Sequence, residues 1–345
     1  MKFTQTLIAV TLTSMLAACG GGGDDTPQVQ MGSFSLGVSD NPADATEVNI
    51  AFKQVVLKNA SGTYSFNVAN DGAAKQVDLL SFQGASAETL VEGVQVPVGE
   101  YQMCIYMENR ETVDTDSSFV KTNDGNDHGL VTNSNGSCGG TGAEDTDAGR
   151  LFFNKAFTIA AGANDYVAEF DLARGIQAPH GNKDYWTLKP TSVQLVNRAD
   201  VGNIEGLIGP DTIAACETAA GGSEFAGAVY LYDAGTVLDN MSDIRPQVTE
   251  PMVAPLAVAR VNEITDEGGN VTGHGYEFGY VVAGSYALGY TCVAQNDDPE
   301  ADNGNTDSPE DIAAPFFIHA DEQNVTVTQG TTSNRNIPAD YTPAG

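Results

Sequence analysis

Basic residues are scarce in this chain. Its 345 residues include 15 Lys and Arg against 46 Asp and Glu, which gives a formal net charge of −31 at pH 7. A negatively charged surface repels the phosphates of nucleic acids at long range, so we expect no nucleic-acid partner. Two interpretations of the charge stay open. One is adaptation to a salty medium, which screens self-repulsion, and the other is a specific role in binding cations.

Catalytic motifs are also lacking. The sequence has no Gly-x-Ser-x-Gly elbow, no His-Glu-x-x-His pair and no phosphate-binding glycine loop. Its four histidines (His128, His180, His274 and His319) are scattered, which is more typical of surface histidines than of general bases. Carboxylates are so abundant that no acid–base pair stands out. The sequence therefore predicts a protein that is not an enzyme.

Long helical periodicity is absent too. Short segments of alternating apolar and polar residues fill the chain, separated by turns, and glycine is frequent with 38 residues. This pattern predicts an all-β fold with two tandem antiparallel β-sandwich domains, over residues 31–200 and 201–334. A tail follows at residues 335–345.

Several local features refine this expectation. Gly99-Glu100-Tyr101 and Gly284-Ser285-Tyr286 each place a glycine turn before a strand, and each strand then reaches a cysteine. We interpret this repeat as a signal of the fold and not of a site. Short helical turns are expected at residues 85–90 and 308–313, and a strand is expected at residues 315–320.

The amino terminus has the features of an export signal. Residues 1–18 contain a single charge, a short apolar run and small residues before Cys19, and the run is too short to span a membrane. The tetrad Leu16-Ala17-Ala18-Cys19 resembles the lipobox of bacterial lipoproteins. That resemblance implies cleavage before Cys19, a lipid on its thiol and acylation (palmitate) of the new amino terminus. It also implies the outer membrane, because Gly20 follows the cysteine. Residues 19–30 then form the lipidated cysteine and a flexible tether.

The other four cysteines are Cys104, Cys138, Cys216 and Cys292. An even number in an exported chain suggests disulfide bonds, and four cysteines allow three pairings. We favour Cys104–Cys138 and Cys216–Cys292, because each pair lies within one predicted domain.

Two acidic segments are candidates for cation binding. The first lies in a long polar insertion between Glu108 and Arg150, and its candidate calcium ligands are Asp114, Asp116, Asp124, Asn126 and Asp127. The spacing after Asp124 partly follows an EF-hand, but His128 stands at the fifth position and Asn135 at the twelfth. The second segment contains Asp297, Asp298, Glu300, Asp302, Asp307, Glu310 and Asp311. The alternative for both segments is a solvated, exposed loop.

Aromatic residues at the end of the first domain allow two interpretations. Tyr185 and Trp186, next to Asp184, could line a carbohydrate-binding face. Such a pair more often caps the core of a sandwich.

The order of several short motifs resembles the bacterial lipoprotein family named domain of unknown function 4382. The resemblance covers residues 31 to 197, and the matching segments are Gly32–Leu36, Ser39–Asp44, Val48–Ile50, Val55–Leu57, Val77–Leu80, Val96–Tyr101, Phe170–Leu172 and Leu188–Pro190. It implies an exported β-rich domain and supplies no catalytic residues. The second domain resembles transthyretin-like or carboxypeptidase-regulatory-like sandwiches through its Gly-Ser-Tyr turn.

These observations predict a cell-envelope lipoprotein without catalytic activity that acts as a binding or structural module. Its partners would be the outer membrane, through the lipid anchor, and a glycan or an envelope protein, on either the periplasmic or the cell-surface face. No cofactor is expected other than calcium. The alternatives are an accessory subunit or calcium-dependent glycan-binding component of a surface assembly, or an uncharacterised hydrolase.

Overall fold

The computed structural model describes residues 29–41, 45–68, 72–140, 145, 147–153, 155–300 and 315–343. Cys19 and the leader therefore lie outside the described residues, as do residues 308–313 of the expected second helical turn. None of the described helices is long and apolar enough to cross a membrane.

The described residues of the first domain form fourteen strands and one short α-helix. The strands are β1 (Met31–Asn41), β2 (Glu47–Asn59), β3 (Gly62–Asn67), β4 (Lys75–Asp78), β5 (Glu88–Pro97), β6 (Gly99–Glu108), β7 (Phe119–Lys121), β8 (Asp127–Val131), β9 (Ala148–Phe152), β10 (Phe157–Ile159), β11 (Gly162–Asp171), β12 (Ile176–Gln177), β13 (Tyr185–Leu188) and β14 (Val193–Asn197). The helix α1 spans Leu172–Gly175.

These strands form two facing sheets. The smaller sheet has the order β14-β11-β1-β5, and the larger has the order β10-β6-β2-β7-β8-β13-β12, with β3 and β4 also paired to β2 and β9 to β6. Most pairs are antiparallel, but β1 and β11 are parallel, as are β8 and β13. The expected all-β sandwich is present.

The core lies between the two sheets and follows from the alternation in the sequence. Phe34, Leu36 and Val38 of β1 are fully buried on one face of the smaller sheet. The residues of β2 that belong to the main core are even-numbered up to Phe52 and odd-numbered from Val55, because a register shift interrupts the pairing with β6 between them.

The insertion between Glu108 and Arg150 is not the continuous loop that its polar composition suggests. It contains the β7–β8 hairpin and the start of β9, which add to the larger sheet. Cys138 forms a disulfide bond with Cys104 on β6, at an S–S distance of 2.04 Å. Both cysteines belong to a small buried cluster that is separate from the main core, so the insertion is fastened to the sheet by a covalent bond.

In the second domain the described parts of the chain form eight strands and one longer helix. The strands are β15 (Val201–Leu207), β16 (Ala228–Asp233), β17 (Ala257–Arg260), β18 (Asn262–Thr265), β19 (Val271–Val282), β20 (Gly284–Thr291), β21 (Ala320–Val327) and β22 (Thr332–Asn334), and the helix α2 spans Pro210–Ala220. One sheet has the order β18-β19-β15-β22 and the other β17-β16-β20-β21. Only β15 and β22 form a parallel pair within these described sheets.

Helix α2 is the main departure from the sequence-based expectation, which allowed only short helical turns. It begins with Pro210 at its first turn and ends at Gly221, which has a φ of 69°. These are the start and stop residues of many helices. Cys216 on its buried face bonds to Cys292, just after β20, so the helix is held against the core.

Two other local expectations were wrong. Residues 85–90 do not form a helical turn, because the chain becomes extended there and enters β5 at Glu88. Residues 315–319 are irregular, and β21 begins only at Ala320.

The repeated glycine–tyrosine turn does have the same structure in both domains. The Tyr101 hydroxyl donates to the carbonyl of Pro97 at 2.6 Å, and the Tyr286 hydroxyl donates to the carbonyl of Val282 at 2.6 Å. In each case the tyrosine closes the turn between two neighbouring strands, so the repeat is a structural element shared by the two sandwiches.

The two domains meet at a contact that we call the junction, formed by the Gly84–Ala85 turn against Glu277–Tyr280 of β19 and by Arg174 of α1 against Pro255–Leu256. The Ala85 amide donates to Glu277 Oε1 at 3.1 Å, and the Tyr280 hydroxyl donates to the Ala85 carbonyl at 2.7 Å. A Cβ atom on Gly279 would lie 1.8 Å from the Gly84 carbonyl oxygen. The two backbones therefore touch directly.

Gly279→Ala should disturb the junction. The added methyl group has no space, so the two domains must shift apart, and we expect a loss of about 1–3 kcal/mol in the free energy of unfolding. Chemical denaturation measures this loss. Gly273→Ala on the same strand is the matched control, since a Cβ there meets no atom within 4 Å, and its effect should stay within about 0.5 kcal/mol. Equal stability of the two variants would contradict the close contact.

Candidate functional site

A cleft of about 1050 Å³ lies between the two domains. The first domain contributes Ile176 and Trp186, and the second contributes Phe225, Arg260 and Asp297. Its volume is at the upper end of the range for small-molecule sites. Its walls combine apolar and charged side chains, so it can both bury a ligand and orient it.

Arg174 of α1 joins the first domain to the rim of the cleft. The carboxylate of Asp171 caps the helix by accepting from the Arg174 amide at 3.2 Å, and it also accepts from the guanidinium at 2.8 Å. The same guanidinium donates to the carbonyl of Leu256 at 3.4 Å and to that of Pro255. This one side chain therefore positions β17 and the segment before it against the first domain.

Asp297 is a half-buried carboxyl in the wall of the cleft. Its Oδ2 accepts from the Tyr230 hydroxyl at 2.6 Å, and its Oδ1 accepts from the Ile244 amide at 3.1 Å. Loss of solvent around Asp297, together with the nearby Asp243, raises its pKa to about 7, although Tyr230, the Ile244 amide and Arg174 act in the opposite direction. Of the two interpretations of this acidic segment, the solvated, exposed loop does not hold for Asp297, and Asp302, Asp307, Glu310 and Asp311 lie outside the described residues.

A second carboxyl lies beside it in a polar cluster. Asp243 is 2% exposed and accepts from the Ser242 hydroxyl at 2.8 Å and from Arg245. The Tyr232 hydroxyl donates to the Ser242 carbonyl at 2.6 Å. Burial raises the pKa of the Tyr232 phenol, so it remains a hydrogen-bond donor.

Asp40, on β1, is a buried carboxyl of the first domain. It is 2% exposed, and among the described residues neither carboxylate oxygen has a hydrogen bond of normal geometry, although the Leu172 amide lies near enough to lower its pKa. Burial raises the pKa of Asp40 well above its usual value, and Asp171 adds to this effect, whereas Arg260 of the second domain opposes it. Burial of a carboxyl without a well-formed hydrogen bond disfavours its ionised form.

Trp186 combines the two roles that the sequence suggested. It is half-buried, packs against the core of the first domain and lines the cleft, while Tyr185 lies outside the cleft beside Lys183. The tryptophan is thus both a cap of the core and an aromatic surface in the cleft wall.

The predicted calcium ligands lie in separate turns around the β7–β8 hairpin. The Asp114 carboxylate accepts from Arg110 at 2.6 Å and from the Asp116 amide at 2.9 Å. The Asp124 carboxylate accepts from Thr122 and Asn126. Asp127 lies 3.8 Å from Lys121 Nζ. In the described parts of the chain no group of three His, Cys, Asp or Glu side chains is arranged to hold a metal ion, and calcium binding stays a prediction.

The four histidines do not converge. His128 Nδ1 lies 3.4 Å from Asp184, and His180 Nε2 lies 3.7 Å from Glu300. His274 lines the cleft, and His319 lies against the ring of Phe317.

Asp297→Asn should change how stability depends on pH. The folded protein keeps the proton on Asp297 up to about pH 7, whereas the unfolded chain releases it near pH 4. This group therefore lowers the free energy of unfolding by up to about 1.4 kcal/mol per pH unit as the pH rises from about 4 to 7. The Asp297→Asn variant lacks this decrease. The difference between its free energy of unfolding and that of the original chain should therefore rise from about pH 4 to pH 7.

Asp266→Asn is the control for this measurement. Asp266 lies in an exposed turn where hydrogen bonds from Asn270 lower its pKa. The stabilisation that Asp266 provides is lost only as the pH falls below the ordinary pKa of an aspartate. Between pH 4 and 7 the free energy of unfolding of this variant should therefore change in parallel with that of the original chain. Denaturation curves at a series of pH values give both differences, and a flat difference for Asp297→Asn would show that this carboxyl titrates normally.

The chain was compared with known proteins. No curated protein matches it. Among solved structures, the TIE protein of Bacillus anthracis is 10% identical, with 89% of this chain and 33% of that chain covered and a TM-score of 0.16. A leucine-rich repeat protein from Bacteroides thetaiotaomicron is 11% identical, with 89% and 26% covered and a TM-score of 0.18. This chain thus spans a third or less of the length of both proteins.

A candidate cell adhesion protein of Bacteroides fragilis is 10% identical, with 88% of this chain and 91% of that chain covered and a TM-score of 0.20. TM-scores this low support no argument about fold or function. The informative comparison is with a sequence family, because residues 31–190 match the family described as "Domain of unknown function (DUF4382)". This match supports the assignment of the first sandwich to that domain family.

Proposed function

We propose that this chain is a lipid-anchored, noncatalytic binding module of the cell envelope, which holds its ligand in the cleft between its two sandwiches. The observation that carries the proposal is the cleft itself, which has a volume of about 1050 Å³ and walls from both domains. Concave sites between domains that combine apolar surface with a few polar groups are the usual location of ligand sites.

The chemistry of the walls favours a glycan as the ligand. Trp186 offers a flat aromatic surface, and the amide side chains of Gln83, Asn262 and Gln295 line the same cleft. Aromatic rings pack against the C–H faces of sugars, while amides and carboxylates bond to their hydroxyls. An envelope protein that inserts a polar side chain into the cleft is the alternative ligand.

The noncatalytic role is part of this proposal because the sequence contains no catalytic motif. In the described residues no serine or cysteine side chain is hydrogen-bonded to a histidine, and all four described cysteines are in disulfide bonds. A nucleophile–base pair of that kind is the usual mark of covalent hydrolysis.

The location in the outer membrane rests on the sequence around Cys19. The tetrad Leu16–Cys19 resembles a lipobox, and Gly20 follows it. Two disulfide bonds fit an exported protein, because such bonds persist in oxidising compartments. Several acyl chains on one cysteine are enough for stable anchoring.

The second sandwich is proposed to be of transthyretin-like or carboxypeptidase-regulatory-like type. Support comes from its Gly284–Tyr286 turn, which Tyr286 closes through its hydrogen bond to Val282.

Cys19→Ser tests the anchor. The serine hydroxyl is not a substrate for thioether formation, so the variant should lose metabolic labelling by a palmitate analogue and move from the membrane to the soluble fraction. A Cys104→Ser/Cys138→Ser double variant is the control, because it loses two other cysteines and should keep its label. Labelling that persists without Cys19 would contradict the proposed anchor.

Ala178→Phe tests the cleft. Ala178 lines the cleft, and a phenyl ring there takes up space that the ligand needs. Ligands found by glycan-array screening and by capture from envelope extract, using the full chain with Cys19→Ser, should bind this variant about tenfold or more weakly. Ala199→Phe, at an exposed position outside the cleft, should bind normally. Equal binding by both variants, or chemical conversion of a captured ligand, would contradict the proposed function.

A further inference from the structure

The predicted tether joins the first sandwich at one end of its strands, which we call the tether end. Strand β1 begins at Met31, directly after the tether, and Met31 pairs with Pro97 of β5. The start of β1 also pairs in parallel with the start of β11. The β2–β3 turn lies at the same end, because Lys58 pairs with Gln102 near the start of β6. The tether end therefore includes three turns, at residues 59–62, 97–99 and 159–162.

The cleft lies at the opposite end of the same strands. Strand β1 ends at Asn41, and β11 ends at Asp171, where α1 follows. The first-domain walls of the cleft come from this end, with Thr46 before β2, Gln83 after β4 and Leu172 of α1 among their residues. Strand β1 has 11 residues, so at ~3.3 Å per residue the tether and the cleft are about 33 Å apart.

The tether end is nearly free of charged side chains, although the chain has a net charge of −31. Its three turns contain no Asp, Glu, Lys or Arg. The charged residues next to these turns in sequence, Lys58 and Glu100, have opposite signs. Apolar side chains are exposed at this end instead, among them Val29, Met31 and Ala161. This end can therefore approach an anionic lipid surface with little electrostatic repulsion.

The end of the first sandwich that carries the cleft is strongly acidic by comparison. Residues 108–127, which follow β6 and include the β7–β8 hairpin turn, lie at this end together with Asp145 and Asp147, which precede β9. These residues include eight Asp and Glu side chains but only two Lys and Arg side chains. Anionic headgroups repel such a surface within about a Debye length, roughly 8–10 Å at physiological salt.

We propose that the first sandwich stands end-on on the bilayer that holds the lipid of Cys19, with the tether end against the headgroups and the cleft facing away from them. This inference rests on the lipid anchor of the proposed function. The tether itself contains Asp24 and Asp25, so the turns of the domain, and not the tether, make the membrane contact. The cleft then lies about 30 Å from the bilayer. It takes its ligand from the adjoining compartment and does not bind a headgroup of its own membrane.

Energy transfer to the membrane tests this orientation in the lipidated full chain. Ala161→Cys adds a thiol at the tether end, and Asn123→Cys adds one in the β7–β8 turn beside the cleft; both positions are exposed. Each variant is labelled with a donor dye and bound to vesicles of phosphatidylethanolamine and phosphatidylglycerol that contain an acceptor-labelled lipid. Transfer from position 161 should be greater and should correspond to a distance about 30 Å shorter than that from position 123.

The same experiment separates the two ways in which the inference can fail. A chain that stays in solution with the vesicles would overturn the lipid anchor, and the orientation with it. A chain that binds to the vesicles but shows equal transfer from the two positions would overturn the end-on orientation and leave the anchor intact.

Ala60→Glu/Ser61→Glu tests the role of the uncharged end. Both residues are exposed in the β2–β3 turn, and two carboxylates there should disfavour the end-on orientation on anionic vesicles roughly tenfold or more. Transfer from positions 161 and 123 should then become similar. Ala215→Glu/Ala219→Glu adds the same charge at exposed positions of α2 and should leave the difference unchanged. Equal effects of the two double variants would contradict the proposed contact.

Discussion

Gly279 and the turn at Gly84 touch through their backbones, and the shape of the cleft depends on this contact. A Cβ atom on Gly279 would lie 1.8 Å from the Gly84 carbonyl oxygen, so the approach is possible only because a side chain is missing. Tyr280 and Glu277 then fix the turn by hydrogen bonds to Ala85. Residues about 190 positions apart in the chain are thereby held together, and the walls of the two sandwiches face each other.

The strong negative charge of the chain determines how its charged side chains are distributed between the surface and the junction. With 46 acidic residues against 15 basic ones, most carboxylates have no basic partner and must stay in water. Asp40 is an exception, since it is 2% exposed, and Asp297 is half-buried in the wall of the cleft. Arginines are few, and one of them, Arg174, lies at the junction, where it bonds to Asp171 and to two carbonyls of the other domain.

Much of the fold could be predicted from the sequence because it depends on local patterns. Alternation of apolar and polar residues predicted the all-β fold, and the glycine–tyrosine repeat predicted equivalent turns. Helix α2 was missed because its eleven residues are mostly small and lack a clear apolar stripe, although Pro210 and Gly221 mark its ends. The cleft and the burial of Asp297 could not be predicted, since they depend on distant residues. Tyr230 is 67 positions away in sequence, and Arg174 belongs to the other domain.

Trp186 permits the most direct test of the central claim that the cleft is the ligand site. It is the only tryptophan of the chain and it lines the cleft. Tryptophan fluorescence and the NMR resonance of the indole N–H therefore report on the cleft alone. Titration with a ligand recovered by the screen should change both signals, with the same saturation curve as binding measured by calorimetry. A ligand that binds saturably and leaves both signals of Trp186 unchanged would place the site elsewhere and contradict this account.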